Sequence, residues 1–220
     1  MKKIKGEILQ FKELYGIKKS DPYEKYLSTK SEYKTLFDEV KRKHSEYVSS
    51  ISSPDMAMSL ELAFFILSNC LKTKPQSLLD LGSGFSSYIF RLYQKNSTSP
   101  VNVYSIDDHD EWLNKTKIYL AEQKLSTEHL FNLDYFLQNS QGLLFDFILL
   151  DLNFVEKRKE YIDFSINILK PTGVLIIDDV HKIEFLRQVK EKSKHNSCKL
   201  INIKNQTKDS FGRFSILLTK

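Results

Sequence analysis

The stretch Ser77-Leu78-Leu79-Asp80-Leu81-Gly82-Ser83-Gly84-Phe85-Ser86-Ser87 reads as a buried strand that runs into a sharp turn and out into a helix. Glycine at 82 and 84 lets the backbone turn and approach a ligand with no Cβ in the way. A helix opening near Ser86 aims its free first-turn N–H groups at the same spot. That combination is a cofactor cradle, with Gly82, Ser83, Gly84 and Ser86 as its expected contacts. Taken alone, a G-x-G after a strand serves several nucleotide-binding families.

The texture of the chain changes near Lys74-Pro75. Beyond it, short apolar runs at Ser77–Leu81, Val101–Ile106, Phe145–Leu150 and Val174–Ile177 alternate with stretches of helical spacing at Ser86–Gln94, Glu111–Gln123 and Glu156–Leu169. Continuous apolar runs of this length suit strands buried on both faces of a parallel sheet, and the amphipathic stretches suit right-handed crossovers. His129–Leu133 is a weaker fifth strand. Lys199–Ile203 and Phe211–Thr219 are separated by too few residues for a helical crossover, so they are expected to pair antiparallel. The expected fold is α/β: a doubly wound, mostly parallel seven-stranded sheet with an antiparallel last strand. Before Pro75 the spacing predicts helices at Ile4–Leu14, Tyr23–Ile51 and Met56–Leu71, the last one started by Pro54-Asp55. This divides the chain into an N-terminal helical extension, 1–55, and a sheet domain, 56–220.

The third glycine of the dinucleotide fingerprint is missing, because Ser87 stands where glycine or alanine lets a helix pack under a pyrophosphate. With Asp80 ahead of the short G-x-G, the segment resembles motif I of class I S-adenosylmethionine-dependent methyltransferases. The five parallel strands closed by a hairpin resemble the sheet of that superfamily, whose cofactor carries no phosphate. The likeness covers roughly 56–220 and implies S-adenosylmethionine (SAM) as cofactor, with Asp80 among its contacts. Asp107 and Asp108 end the second strand, roughly 25 positions after Gly82, where an acid holds ribose hydroxyls. Asp107 is the expected ribose ligand and Asp108 a second candidate, while Asp110 fits better as a helix cap. Asp134 matches in position the residue that contacts the adenine amino group in this superfamily; a solvated loop aspartate is the alternative.

Strand ends in an open parallel sheet converge on one rim, which brings Asp151 and Asp178-Asp179 toward Gly82 and Asp107. These acids resemble the metal-binding aspartates of the catechol and caffeoyl-CoA type O-methyltransferases. That resemblance implies Asp151, Asp178 and Asp179 as ligands of a Mg²⁺ that draws an acceptor hydroxyl toward its alkoxide. Two features depart from the pattern: Asn153 stands where one subfamily has a further Asp, and no lysine follows closely before Lys157. Capping of the next helix is the other reading of Asp179. His181, two residues further on, is a candidate general base or extra ligand, with a plain surface histidine as the alternative.

Composition narrows the classes. Of 220 residues, 41% are hydrophobic and only 7 are Gly and 5 Pro, which describes a folded domain. No apolar window reaches membrane-spanning length, and the N-terminus shows no signal sequence, so a soluble cytoplasmic protein with no membrane partner is expected. Cys70 and Cys198 suggest neither a disulfide nor a zinc site. Residues 51–179 carry 11 Lys and Arg against 17 Asp and Glu, between two basic ends. The basic ends leave nucleic acid open as a partner, against the simpler reading of solvated lysine-rich helices. The expected activity is methyl transfer from SAM to a hydroxyl of a small molecule, with Asp151, His181 or the metal handling the proton. RNA or protein acceptors are the rival reading, although Asp151-Leu152-Asn153-Phe154 stands in place of an Asn-Pro-Pro-Tyr-like tetrad. A nonenzymatic SAM-binding protein and a nicotinamide-dependent oxidoreductase complete the alternatives. The extension, with Tyr23, Tyr26, Tyr33 and Tyr47, is expected to cover the substrate pocket or to form a homodimer contact.

Overall fold

The computed structural model describes residues 2–19 and 31–220. The chain begins with α1 (Lys2–Leu14), a two-residue strand β1 (Lys18–Lys19), α2 (Ser31–Ser50) and α3 (Leu60–Thr73). Strands and helices then alternate: β2 (Ser77–Leu81), α4 (Phe85–Asn96), β3 (Asn102–Asp107), α5 (Asp110–Glu122), β4 (Leu130–Asn132), α6 (Leu133–Asn139) and β5 (Phe145–Leu150). The next crossover is α7 (Val155–Arg158), a 3₁₀ turn (Lys159–Tyr161) and α8 (Ile162–Asn167), followed by β6 (Leu169–Ile177). The chain ends with α9 (Ile183–His195), β7 (Lys199–Asn202), the single turn α10 (Lys204–Thr207) and β8 (Ile216–Thr219).

The sheet order is β1-β7-β8-β6-β5-β2-β3-β4, and only β8 runs antiparallel to its neighbours. Period-two alternation divides the strand side chains between two cores. Leu78, Phe147, Leu149 and Ile176 face the layer of α2 to α5, while Leu79, Leu81, Ile148, Leu150 and Ile177 face the side of α6, α8 and α9. Both faces are covered, which is why these strands read as unbroken apolar runs. From β2 the chain builds outward to β3 and β4, then returns to β5 on the other side. The order therefore reverses between β2 and β5, and a crevice opens there beyond the carboxyl ends of the strands.

Several expected boundaries move. The sheet has an eighth strand, β1, whose Lys-Lys sequence carries no apolar signal but pairs parallel with β7. The helix expected from Met56 begins at Leu60, because Ser59 is the residue that caps it, accepting from the Leu62 N–H at 3.1 Å. Residues 52–58 are thus freed from the helix. The single helix expected over 156–169 is broken in two around the 3₁₀ turn. The final strand starts at Ile216, not Phe211, and a helical turn lies within 204–210. Tyr23, Tyr26 and the first part of the helix expected at 23–51 lie outside the described residues. No helix among the described residues is long and apolar enough to cross a membrane.

Candidate active site

The turn after β2 is held from below and from the side. Asp80, fully buried, accepts from the Ser87 hydroxyl at 2.5 Å and the Ser105 hydroxyl at 3.1 Å through Oδ2. Ser87 Oγ in turn accepts from the Gly84 N–H at 3.2 Å, so the acid fixes the turn through one serine. Arg91, also buried, donates to Ser105 Oγ at 2.7 Å and supplies the compensating charge. Burial pushes the Asp80 carboxyl up to about 6, against the bonds from Ser87 and Ser105 and the field of Arg91. From the side, Asp107 Oδ2 accepts from the Ser83 N–H (2.8 Å) and hydroxyl (2.9 Å), and Oδ1 from the His109 N–H (3.0 Å). Trp112 Nε1 donates to the Ser83 carbonyl at 2.6 Å. At Gly82, with φ of 109°, a Cβ would lie 2.5 Å from the Asp151 carbonyl carbon and oxygen, so this position admits only glycine.

Beside the turn stand the ends of β5 and β6, where the Asp151 N–H donates to the Leu81 carbonyl at 2.7 Å. Asp151, Asp179 and the backbone around them close on Arg158, whose side chain is only 3% exposed. Its guanidinium lies 2.8 Å from Asp151 Oδ1 and 3.2 Å from Asp179 Oδ2. Asp178 Oδ1 accepts from the Ser215 hydroxyl at 2.6 Å. Burial, opposed by Arg158 and reinforced by the two neighbouring acids, pushes the Asp151 carboxyl up; burial and Asp179 do the same to Asp178. His181 Nδ1 sits 3.4 Å from Asp179 Oδ1, a charge contact without a formed hydrogen bond, and burial holds the imidazole below its ordinary 6.5. Asp108 is engaged by Lys157 (2.8 Å) and Asn153 (2.6 Å), which outweigh burial and hold its carboxyl down.

Residues 52–58 roof the space between these two walls. Arg213, anchored to Asp209 at 2.6 Å, donates to the carbonyls of Asp55 (2.5 Å), Pro54 (3.0 Å) and Ala57 (3.3 Å). His44 Nε2 adds a 2.8 Å contact to the Met58 carbonyl. The half-open cleft has a volume of about 730 Å³ and is lined by the glycine turn, Asp107, Trp112, Tyr47, the β5 and β6 ends and residues 52–58. That volume accommodates a nucleoside-sized cofactor beside a small second ligand. A Cβ at Gly84 would fill the gap toward the Tyr47 hydroxyl, 3.3 Å away, and the Trp112 indole. The Tyr47 hydroxyl is buried without a hydrogen-bond partner, so the cradle also holds an unmet polar atom.

A methyltransferase-domain family profile matches residues 72–214, well over half of the chain. The chain belongs to the methyltransferase-domain family. Its fold is shared with solved methyltransferases. The O-methyltransferase TomG from Streptomyces achromogenes, solved with SAM, superimposes at a TM-score of 0.59 and 16% identity, covering 96% of this chain and 94% of that one. An O-methyltransferase from Bacillus cereus, solved with S-adenosylhomocysteine (SAH), also gives 0.59 at 16% identity, covering 89% and 94%. A SAM-dependent methyltransferase from Clostridium acetobutylicum gives 0.56 at 15% identity, covering 81% and 98%. No curated protein sequence matches the chain. The chain is thus a SAM-dependent methyltransferase built on the class I fold.

In this methyltransferase the cleft brings together Gly82, Ser83, Gly84, Ser86, Asp107, Asp108, Asp151, Asp178, Asp179 and His181. Asp80 is not among the lining residues, since it acts beneath the turn through Ser87. Asp134 lies exposed in the first turn of α6, away from the cleft, its N–H donating to Asn132. The three acids expected to hold a metal do not fit one. Two of them are turned onto Arg158 and the third onto Ser215, and no group of three His, Cys, Asp or Glu among the described residues is placed to hold an ion. Trp112, Arg158 and Arg213 line the cleft without having been expected there, whereas Tyr47 belongs to the extension expected to cover the substrate pocket or to form a homodimer contact. For Trp112 a signal existed, as the lone tryptophan of the chain lies one turn beyond the Asp107-Asp108 step.

Proposed function

We propose that this methyltransferase transfers a methyl group from SAM to a hydroxyl oxygen of a small-molecule acceptor bound under the 52–58 roof. The observation that carries this reading is a single cleft lined by both the glycine turn and His181. Gly82, Ser83, Gly84 and Ser86 would hold the cofactor with the first-turn N–H groups of α4, and Asp107 keeps acceptor capacity on Oδ1 for a ribose hydroxyl. Bound there, SAM supplies the methyl group at its sulfonium. The chain's own part is to align the acceptor and to exclude water.

His181 is the proposed base. With its pKa held down by burial, the imidazole is neutral at pH 7, and Nε2 can accept the acceptor proton while Nδ1 stays turned to Asp179. Asp151, paired with Arg158, is left to orient the acceptor hydroxyl. Met56 and Phe154, both 65% exposed beside the cleft, favour an acceptor with an apolar or aromatic face. The carboxylates of Asp55, Asp107 and Asp108 disfavour the phosphates of an RNA acceptor. The exposed apolar residues Ile8 and Phe11 on α1, with Tyr15 just beyond its end, support the extension as a contact between two copies of the chain.

Calorimetric titration tests the central reading. SAH is expected to bind at one site per chain and NAD not at all. Binding of NAD without SAH would overturn it.

A further inference from the structure

We propose that Arg158 is the resident cation of the acceptor site, a guanidinium fixed in the place of a divalent ion, so that methyl transfer here proceeds without one. The proposal rests on reading the β5 and β6 ends as the acceptor wall of a methyltransferase. Arg158 ends the one-turn helix α7, and its side chain runs back beneath both strand ends. Besides its ion pairs with Asp151 and Asp179, Nε donates to the Leu152 carbonyl (3.1 Å) and Nη1 to the Asp178 carbonyl (3.2 Å). Nη2 donates to the carbonyls of Asp151 (3.2 Å) and Asn153 (2.6 Å). One positive charge thus ties the ends of two neighbouring strands together. A divalent ion held by Asp151 and Asp179 would tie the same ends.

The two cations exclude each other. Mg²⁺ needs oxygens at about 2.0–2.1 Å in near-octahedral array. One carboxylate oxygen of each of Asp151 and Asp179 already faces the guanidinium, at 2.8 and 3.2 Å, and Asp178 Oδ1 is taken by Ser215. Seating a divalent ion on these acids would set it against a buried guanidinium a few ångströms away, so like charges repel and the arginine's two ion pairs must be given up. The planar fork suits this place better than lysine would, because five N–H groups in one plane reach two carboxylates and four carbonyls at once.

The substitution has a chemical consequence. A metal ion keeps open positions at which it can bind and acidify an acceptor hydroxyl. All five Arg158 donors are committed to the protein. Arg158 therefore neutralises and positions Asp151 and Asp179 but does not touch the acceptor, and the proton must leave by another group. Arg158 is a positioning residue in this scheme.

Titration of Mn²⁺ followed by electron paramagnetic resonance, on the SAH complex of the full chain, tests the proposal. The wild type is expected to hold no stoichiometric Mn²⁺ and to show no thermal shift with Mn²⁺ or with chelator. Arg158→Ala, which uncovers the acids, is expected to bind one Mn²⁺ per chain at least ~10-fold more tightly than the wild type and to gain thermal stability from it. A purely structural arginine would not produce that gain. Stoichiometric Mn²⁺ in the wild type, lost in Asp178→Asn, overturns the proposal, as does a folded Arg158→Ala that ignores Mn²⁺. If Arg158→Ala does not fold, the wild-type titration decides alone. SAH affinity of the wild type, measured beforehand, reports separately on the methyltransferase reading: its failure leaves the Mn²⁺ result standing as a statement about the acids.

Discussion

At Gly82 the space for a Cβ is taken by the Asp151 backbone, not by a ligand. The sequence marked this glycine for close approach, but one strand's turn pressing on the end of the next was visible only in three dimensions. The acids Asp107, Asp151, Asp178 and Asp179 were legible because each ends an apolar run, whereas their counter-ion was not, since Arg158 lies inside a polar crossover where a charge reads as solvated. A weak signal did exist. Only five of the 33 basic residues are arginines, and Arg91 and Arg158 are both buried, as expected where a planar fork rather than a point charge is needed. His181 carries the prediction at this scale. Its imidazole is the base only when unprotonated, and burial places its pKa below 6.5. The rate should therefore be flat through neutral pH and fall on the acid side, with its midpoint below 6.5. His181→Gln should lower kcat by about 10²–10⁴ and remove that acid limb. SAH affinity from calorimetry should stay within about threefold of the wild type. An unchanged pH profile in the variant would assign the proton to another group.

Element boundaries failed where a tertiary partner set them. Pro54-Asp55 looked like a helix start, yet Ser59 caps α3 and the freed segment crosses the cleft. Nothing local in 52–58 announces a roof, because the bonds that shape it come from Arg213, more than 150 residues away in sequence. The broken crossover has a similar origin. Arg158, at the end of α7, donates to the Leu152 and Asn153 carbonyls just upstream, and the chain tightens into a 3₁₀ turn immediately after it. By contrast, β2, β3, β5 and β6 were readable within a few residues at their carboxyl ends, since burial on both faces writes itself as an apolar run. The roof can be tested as a unit. Arg213→Ala removes three carbonyl contacts and the Asp209 pair while leaving the glycine turn intact. The KM for an acceptor should rise about tenfold with a smaller change in SAH affinity, and proteolysis should cut earliest within 52–58. Equal losses for acceptor and SAH would mean that the roof belongs to the cofactor site instead.

Across the whole molecule, the cost of building this cleft is a set of buried acids at the strand ends. Asp80, Asp107, Asp151 and Asp178 are all pushed up, mainly by burial. For Asp80 the folded value is about 6, against 3.8 ordinarily. Between these values the folded chain holds more protons than the unfolded one, so stability declines as pH rises through this window and the full cost is present above it. Asp80 alone contributes on the order of 3 kcal/mol to that decline. His181 works in the opposite sense, since its lowered value makes the folded chain bind fewer protons below 6.5, but it is one group against four. Below the window, Glu13 and Asp163 are held down by Lys190, Arg187 and Lys192, so their protonation removes stability as pH falls through their folded values. The ligand-free protein should therefore melt higher at about pH 5 than at about pH 7.5, unlike a protein whose carboxylates are mostly paired at the surface. Asp80→Asn should shrink that difference, because the group whose titration carries much of it is gone. Differential scanning calorimetry across this range decides the matter, and a melting temperature that climbs steadily from about pH 5 to about pH 7.5 would show that the acids at the cleft are better solvated than their burial implies.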